Sequence, residues 1–416
     1  MTSNWREITF GDFVVIQRGH DLPDQNRKSG PVPILGSFGV TGYHDTVKAE
    51  GPGVTIGRSG ASFGVAAYTD QDYWPLNTAL YVTDFKGNHP KFVFYFMKAF
   101  DFSGFNSGSA QPSLNRNNLY PVAIRVPLLR EQKLISEMLG ALDDRITLLR
   151  ETNSNLETIA QMLFKSWLVD FDPVRAKAEG LKPACMNEAT AALFPDSFEE
   201  SGLGLMPKGW ATRPIYDMAA YINGAAYKAF EPNSDCRGLP IIKIAELKAG
   251  VTSKTAFSDV VMPEKYLIKI GDILFSWSGN PDTSIDTFVW GHATALLNQH
   301  IFRVLPYAPS QRSFVLQTLR NLKPVFAELA RNKQTTGLGH VTVADLKRLH
   351  VVIPPEAVIE KFNDFAEPIH QKIFDNEQQA QTLTQIRDTL LPRLISGQLR
   401  LAEVETSIDD ALSETI

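Results

Sequence analysis

Apolar residues recur every seven positions at Ile135, Leu142, Leu149, Leu156 and Leu163, with Leu139, Ile146, Ala160 and Trp167 four places after four of them. A seam sustained over about five heptads predicts one long amphipathic helix from Pro127 to about Val169. The same register returns 227 residues later at Phe362, Ile369, Asn376, Leu383 and Leu390, accompanied by Ala366, Ile373, Ala380 and Leu394. The repeat starts upstream of the helices, since Leu119, Val122, Ile124, Val126 and Pro127 fall on Leu346, Leu349, Val351, Ile353 and Pro354 at the same offset. Each copy therefore predicts a short strand closed by Pro and then a helix of roughly 40 residues, on the order of 60 Å long. An isolated helix cannot hide so long an apolar stripe, and the expected solution is two stripes that bury each other.

The segments before the helices read differently. Pro31 to Phe38 and Val54 to Tyr68 alternate as strands do, broken by Gly57-Arg58-Ser59-Gly60 and Gly64. Ala79 to Val82 is strand-like, and Phe92, Tyr95, Phe96 and Phe100 recur at helical spacing, as a core stripe would. The second segment repeats this frame from Pro207. Trp210 answers Trp5, Ile222-Asn223-Gly224 answers Ile16 to Gly19, and Pro240 to Ile244 answers Pro33 to Gly36. Gly271 to Gly279 answers Pro52 to Gly60, and Leu297 to Ile301 answers Leu76 to Leu80. A helix is expected over Ser313 to Arg331, and Pro392 is expected to kink or end the last turn of the second long helix. Frame residues repeat while polar loop residues differ, so the frame reads as scaffold and the loops as two different presented surfaces.

Charge sharpens this division. The net charge is −5, yet residues 1–127 carry +1, 128–200 carry −5, 201–354 carry +6 and 355–416 carry −7. Acidity sits on the helices and the tail, and the segments between are neutral or basic, as expected of surfaces that meet phosphate. Glu131, Glu137, Asp143, Asp144 and Glu151 are expected on the exposed face of the first helix. The only cysteines, Cys185 and Cys236, are far apart and support neither a disulfide framework nor a zinc site. No window suits a membrane span or a secretory leader, so a cytoplasmic location is the default expectation.

Candidate chemistry lies in the loops. In the first segment Gln25, Asn26, Arg27, Lys28, Arg58, Ser59, Ser109, Gln111, Asn115 and Arg116 supply amide, hydroxyl and cationic donors. In the second, Lys228, Trp277, Ser278, Asn280, His300, Lys333, Gln334, Thr335 and His340 do so. Arg and Lys suit guanine edges and Asn and Gln suit adenine edges in the major groove, and Lys and Arg also fix register on phosphates. A duplicated, diverged pair suits a target with two dissimilar half-sites at a fixed separation.

The run Gln161-Met162-Leu163-Phe164-Lys165-Ser166-Trp167-Leu168-Val169-Asp170-Phe171-Asp172-Pro173-Val174 resembles the central region of the DNA-specificity subunits of Type I restriction-modification systems. So do Ala192-Leu193-Phe194-Pro195-Asp196-Ser197-Phe198, Pro207-Lys208-Gly209-Trp210, and Leu390-Leu391-Pro392-Arg393-Leu394-Ile395-Ser396-Gly397. The second pre-strand loop departs, with Gly337-Leu338-Gly339-His340 opposite Ala110-Gln111-Pro112-Ser113. The resemblance implies an α+β fold with two globular target-recognition domains joined by two long helices in an antiparallel, pseudo-two-fold coiled coil. The expected divisions are 1–127 and 205–354 for recognition, 128–204 for the first spacer helix and linker, 355–402 for the second, and 403–416 for an acidic tail. The implied partners are double-stranded DNA, two methyltransferase subunits and restriction or motor subunits. S-adenosylmethionine, ATP and Mg²⁺ are then expected on those partners and not on this chain.

The chain carries no G-x-x-x-x-G-K-[ST] phosphate loop, and neither Asn280-Pro281-Asp282 nor Asp172-Pro173-Val174 supplies an adenine-methyltransferase tetrapeptide. Asp282 and Asp286 lack the acidic-x-Lys sequel of a nuclease metal site. A non-catalytic DNA-targeting subunit is the reading that fits. A protein-binding coiled-coil adaptor would lack salt-dependent binding to a split DNA site, and a free-standing repressor would act without partners.

Overall fold

The structure is a computed structural model in which residues 5–106, 113–334 and 337–400 are described. The chain divides into two compact units, Met1–Thr147 with Ala380–Ile416, and Leu148–Gln379. Both long helices are present, Leu129–Leu168 and Glu356–Ser396, and each contributes one part to each unit. Among the described residues, no helix is long and apolar enough to cross a membrane.

The helices pair as the heptads require. Within the first unit, Ile135 and Leu139 share a core with Leu391, Leu394 and Ile395, and Asp143 is ion-paired with Arg387 at 2.7 Å. Within the second, the Asn153 amide donates to the Ile373 carbonyl at 2.9 Å, and the Phe164 ring lies 5.7 Å from that of Phe362. In each unit, numbering rises along one helix as it falls along the other, so the pair is antiparallel. Of the predicted seam, Ile135, Leu149 and Phe362 are buried, while Leu142, Leu156, Leu163, Ile369, Leu383 and Leu390 are half-buried. Two acidic assignments fail, since Glu131 and Asp143 are half-buried and Glu131 Oε2 is shielded from solvent. Asp143 does not lie on an exposed acidic face: besides pairing with Arg387, it accepts a 2.7 Å bond from Tyr95 Oη, because the recognition core packs against that side of the helix.

Each unit builds the same sheet. In the first, the order is Val15–Arg18, Ala79–Asp84, Gly53–Gly57, Ala66–Thr69. In the second, it is Ala219–Asn223, Ile301–Pro306, Ile273–Ser276, Asp286–Val289. All these pairings are antiparallel. A smaller sheet has parallel pairing of Val32–Gly36 with Trp74–Pro75, answered by Leu239–Ile242 with Ala295–Leu297. The predicted strand before each long helix closes its unit, Trp5–Thr9 pairing with Ala123–Pro127 and Ala211–Pro214 with His350–Ile353.

Behind the first sheet lies helix Pro90–Ala99, whose Phe92, Tyr95 and Phe96 are buried as the spacing predicts, against Phe10 and Phe13. Each such aromatic contributes about 1.5–3 kcal/mol by leaving water. In the second unit the expected single helix is two, Arg312–Asn321 and Lys323–Arg331. Pro324 is the cause, since it lacks an N–H and its ring clashes with the carbonyl four residues back. Conversely, Pro392 does not end the second long helix, which runs to Ser396. Gly397 ends it, with φ +75° and the Leu399 N–H returning to the Arg393 carbonyl at 3.0 Å.

Backbone bonds correct one internal alignment. Leu76 forms a parallel bridge to His20 and Asn298 forms one to Ala225, so Leu76 corresponds to Asn298 and Thr78 to His300. The sequence pairing of Leu76 with Leu297 is one residue out, because alternation alone does not fix register inside a short apolar run. Gly19 and Gly224 are equivalent glycines at this crossing, where a Cβ would overlap the carbonyls of Leu76 and Asn298 respectively.

The segment after the first helix is ordered by aromatic packing. Phe171, Phe194 and Trp210 join Phe164 and Trp167 in one core of the second unit. The hairpin of Phe198–Ser201 with Gly204–Pro207 follows.

Candidate nucleic-acid interface

In the first unit, three chain segments meet where strand Gly53–Gly57 ends. The Arg58 N–H donates to the Thr78 carbonyl at 3.2 Å, and the Arg58 carbonyl accepts from the Leu114 N–H at 2.8 Å. Ser59 bridges Ser113 in antiparallel fashion. Gly57 makes the junction possible, since a Cβ there would run into the Ser62 carbonyl. Arg58 itself is half-buried, and among the described residues its guanidinium has no ion pair or hydrogen bond. Ser109 and Gln111 lie outside the described residues.

The other candidates of this unit divide by what holds them. Gln25 and Asn26 sit exposed in the 3-10 turn Asp24–Asn26. Arg27 is tied back to the Thr41 carbonyl at 3.3 Å and to Asp24 at 3.0 Å. Lys28 is exposed, with its ammonium 4.0 Å from Asp45. Asn115 caps the short helix Arg116–Leu119, and Arg116 donates to the Ile16 carbonyl at 3.3 Å, which gives both a structural task.

The second unit repeats the junction with other side chains. The Trp277 N–H donates to the His300 carbonyl at 3.3 Å, the Trp277 carbonyl accepts from the Val341 N–H at 2.8 Å, and Ser278 pairs with His340. The indole lies 5.4 Å from the His300 ring and 5.9 Å from the His340 ring. Trp277 Nε1 donates to Asn223 Oδ1 at 3.1 Å. Burial, and then the neighbouring His340, hold the His300 imidazole below its ordinary pKa, which favours the neutral ring. Nδ1 of both histidines is buried without a hydrogen-bond partner among the described residues.

Asn280 accepts from the Asp282 and Thr283 N–H groups at 3.0 and 3.1 Å, forming the turn that follows Gly279. Lys228 is exposed on the turn Tyr227–Phe230, and Gln334 is exposed. Lys333 is engaged elsewhere: its ammonium binds both carboxylate oxygens of Asp345. Asp345 is buried and also forms a capping box with Thr342 at helix Val343–Arg348. Burial pushes the Asp345 carboxyl up, but the bonds from Lys333 and Thr342 outweigh it and hold the group below the usual carboxylate range. Thr335 lies outside the described residues.

The acids weighed as metal ligands are also engaged, Asp282 by Arg331 and Asp286 by Lys323. Among the described residues, no group of three His, Cys, Asp or Glu side chains is placed to hold a metal ion. Three participants escaped the sequence reading. Thr78 was hidden by the misregistered alignment, Ser113 lay unselected in the loop before the first long helix, and Asn223 was read only as part of the repeated frame until the fold brought it to Trp277 Nε1.

The description Type I restriction modification DNA specificity domain matches residues 2–158 and 207–387. The chain is 25% identical over 322 residues to the Type I restriction enzyme MjaIX specificity subunit of Methanocaldococcus jannaschii, covering 76% of this chain and 70% of that one. It is 25% identical over 333 residues to the Type I restriction enzyme HindI specificity subunit of Haemophilus influenzae, covering 69% and 71%. The Type-I restriction-modification system S subunit from M. genitalium shares the fold, with a TM-score of 0.59 and 14% identity over 94% of this chain and 96% of that one. With the match taking in both modules and most of both long helices, the chain belongs to the Type I restriction modification DNA specificity family.

Proposed function

We propose that this chain is a non-catalytic DNA-targeting subunit that reads a bipartite duplex site. Residues 1–127 and 205–354 each take one half-site, and the helices of 128–204 and 355–402 set the gap. The observation that carries this is the duplicated backbone junction, built from the same hydrogen bonds in both units and filled with Arg58 in one and Trp277 in the other. Identical scaffolds with different reading groups suit two dissimilar half-sites. Exposed Gln25, Asn26, Lys28, Lys228 and Gln334 supply further contacts to bases and phosphates.

In this reading, two methyltransferase subunits and the restriction or motor subunits supply the chemistry, in the cytoplasm. S-adenosylmethionine, ATP and Mg²⁺ are bound on those partners. The relatives named as specificity subunits of type I restriction enzymes support it. The test is to map methylated adenines in host cells with and without this gene. A two-part motif that disappears on deletion supports the proposal, and an unchanged methylation map refutes it.

A further inference from the structure

The two junctions define three equivalent positions by backbone geometry alone. Arg58 corresponds to Trp277 because each donates to a neighbouring strand and accepts from the pre-helix loop. Thr78 corresponds to His300 as the carbonyl receiving that first bond, and Ser113 to His340 as the partner of Ser59 or Ser278.

What surrounds these positions is alike in chemistry. Thr78 and His300 are each followed by a fully buried apolar residue, Ala79 and Ile301. Ser113 and His340 are likewise followed by Leu114 and Val341, which are also buried. Trp277 lies between buried Ser276 and Ser278. Since neighbours in extended chain face opposite ways, a buried neighbour on at least one side of each position, Gly57 in the case of Arg58, turns the three positions outward. In the second unit the side chains do converge there, as the distances from the indole to the two imidazoles show. The framework is kept and the outward chemistry is replaced, from a guanidinium and two hydroxyls to an indole and two imidazoles.

We infer that Arg58, Thr78 and Ser113 in one unit, and Trp277, His300 and His340 in the other, are the specificity-determining triads, and that the half-site of the first unit contains a guanine facing Arg58. This rests on the function proposed above and assigns the readout to particular residues. A guanidinium without a partner among the described residues can make the bidentate bond to guanine O6 and N7, and the two hydroxyls add adaptable bonds beside it. The ring triad has no guanidinium to offer. It reads through single hydrogen bonds and ring contact, so the two half-sites differ.

The full-length chain in its host, with methylated adenines mapped genome-wide, gives the test. The graft Arg58→Trp, Thr78→His and Ser113→His is expected to change the first half-site while the second half-site and the gap stay as they were. An unaltered first half-site in the graft overturns the inference while leaving the bipartite function intact. Absence of any motif dependent on the wild-type gene would instead remove the function itself. If the graft folds poorly, Arg58→Gln decides, with thermal melting as the check on folding. A guanine preference that falls about tenfold or turns to adenine supports the triad, and an unchanged motif overturns it.

Discussion

Asn153 and Asn376 hold each other across the paired helices: the Asn376 amide donates to Asn153 Oδ1 at 2.9 Å. Asn376 is only 3% exposed and occupies a seam position where its repeat partner is Leu149. A buried amide in an apolar seam is stabilising only when matched, so it disfavours every other register of the two helices.

Asn376→Leu should therefore destabilise the chain by about 1–2 kcal/mol, since it leaves the Asn153 carbonyl oxygen without its donor. The double variant with Asn153→Leu should recover most of that loss. Urea unfolding of the four proteins measures the coupling, and purely additive losses would show that the two amides do not act as a pair.

Insertion of four residues beside Asn153 adds about one turn to one helix only and displaces its seam relative to the partner. The expected outcome is a changed gap between half-sites or loss of binding, read on duplexes with graded spacers. Unaltered affinity and spacer preference would mean the helices set no distance.

Arg58 and Lys333 should behave differently although both are loop cations. Arg58→Ala is expected to leave the melting temperature nearly unchanged and weaken DNA binding by about 1–3 kcal/mol. Lys333→Ala removes the partner of buried Asp345, so it should lower stability by on the order of 1 kcal/mol, as the ammonium is partly exposed. Melting and binding measured on the same preparations separate the two, and equal behaviour would refute the assignment.

His370 predicts an acid-sensitive second unit. Its Nδ1 meets Ser313 Oγ at 2.8 Å and its Nε2 meets the Gln317 amide at 2.8 Å. Since the Ser313 hydroxyl donates to Glu367 at 2.5 Å, Nδ1 carries the proton and Nε2 accepts. Burial, and then the charge of Arg320, push the imidazole down to about 4 from 6.5. Above the unfolded value both states are neutral and stability is flat. As pH falls from 6.5 toward 4, the unfolded chain takes up a proton that the folded one refuses, and roughly 3 kcal/mol of stability is lost. His370→Gln should flatten this part of the stability profile relative to the wild type, and an identical pH dependence would show that His370 is not its source.

Exchange of residues 1–127 for the corresponding module of a relative should change one half-site only. Mapping methylated adenines checks this, and simultaneous change of both halves would refute independent reading.

Heptad periodicity is a local, repeated signal, so both long helices, their seam and the strand before each could be read from the sequence. Duplication could be read for the same reason, as frame residues such as Trp5 and Trp210 stand at matching places. The antiparallel direction of the helices came from the family resemblance, and contacts such as Asn153 with Asn376 fix it. Other features depend on groups far apart in the chain. The engagement of Asp143 by Tyr95 and the capture of Lys333 by Asp345 each involve a choice between solvent and a partner brought close by the fold. The amino-acid order determined which elements form and that they recur. Only the tertiary structure decided which of their polar side chains remain available to a ligand, because hydrogen bonds and ion pairs are assigned by distance in space and not by separation along the chain.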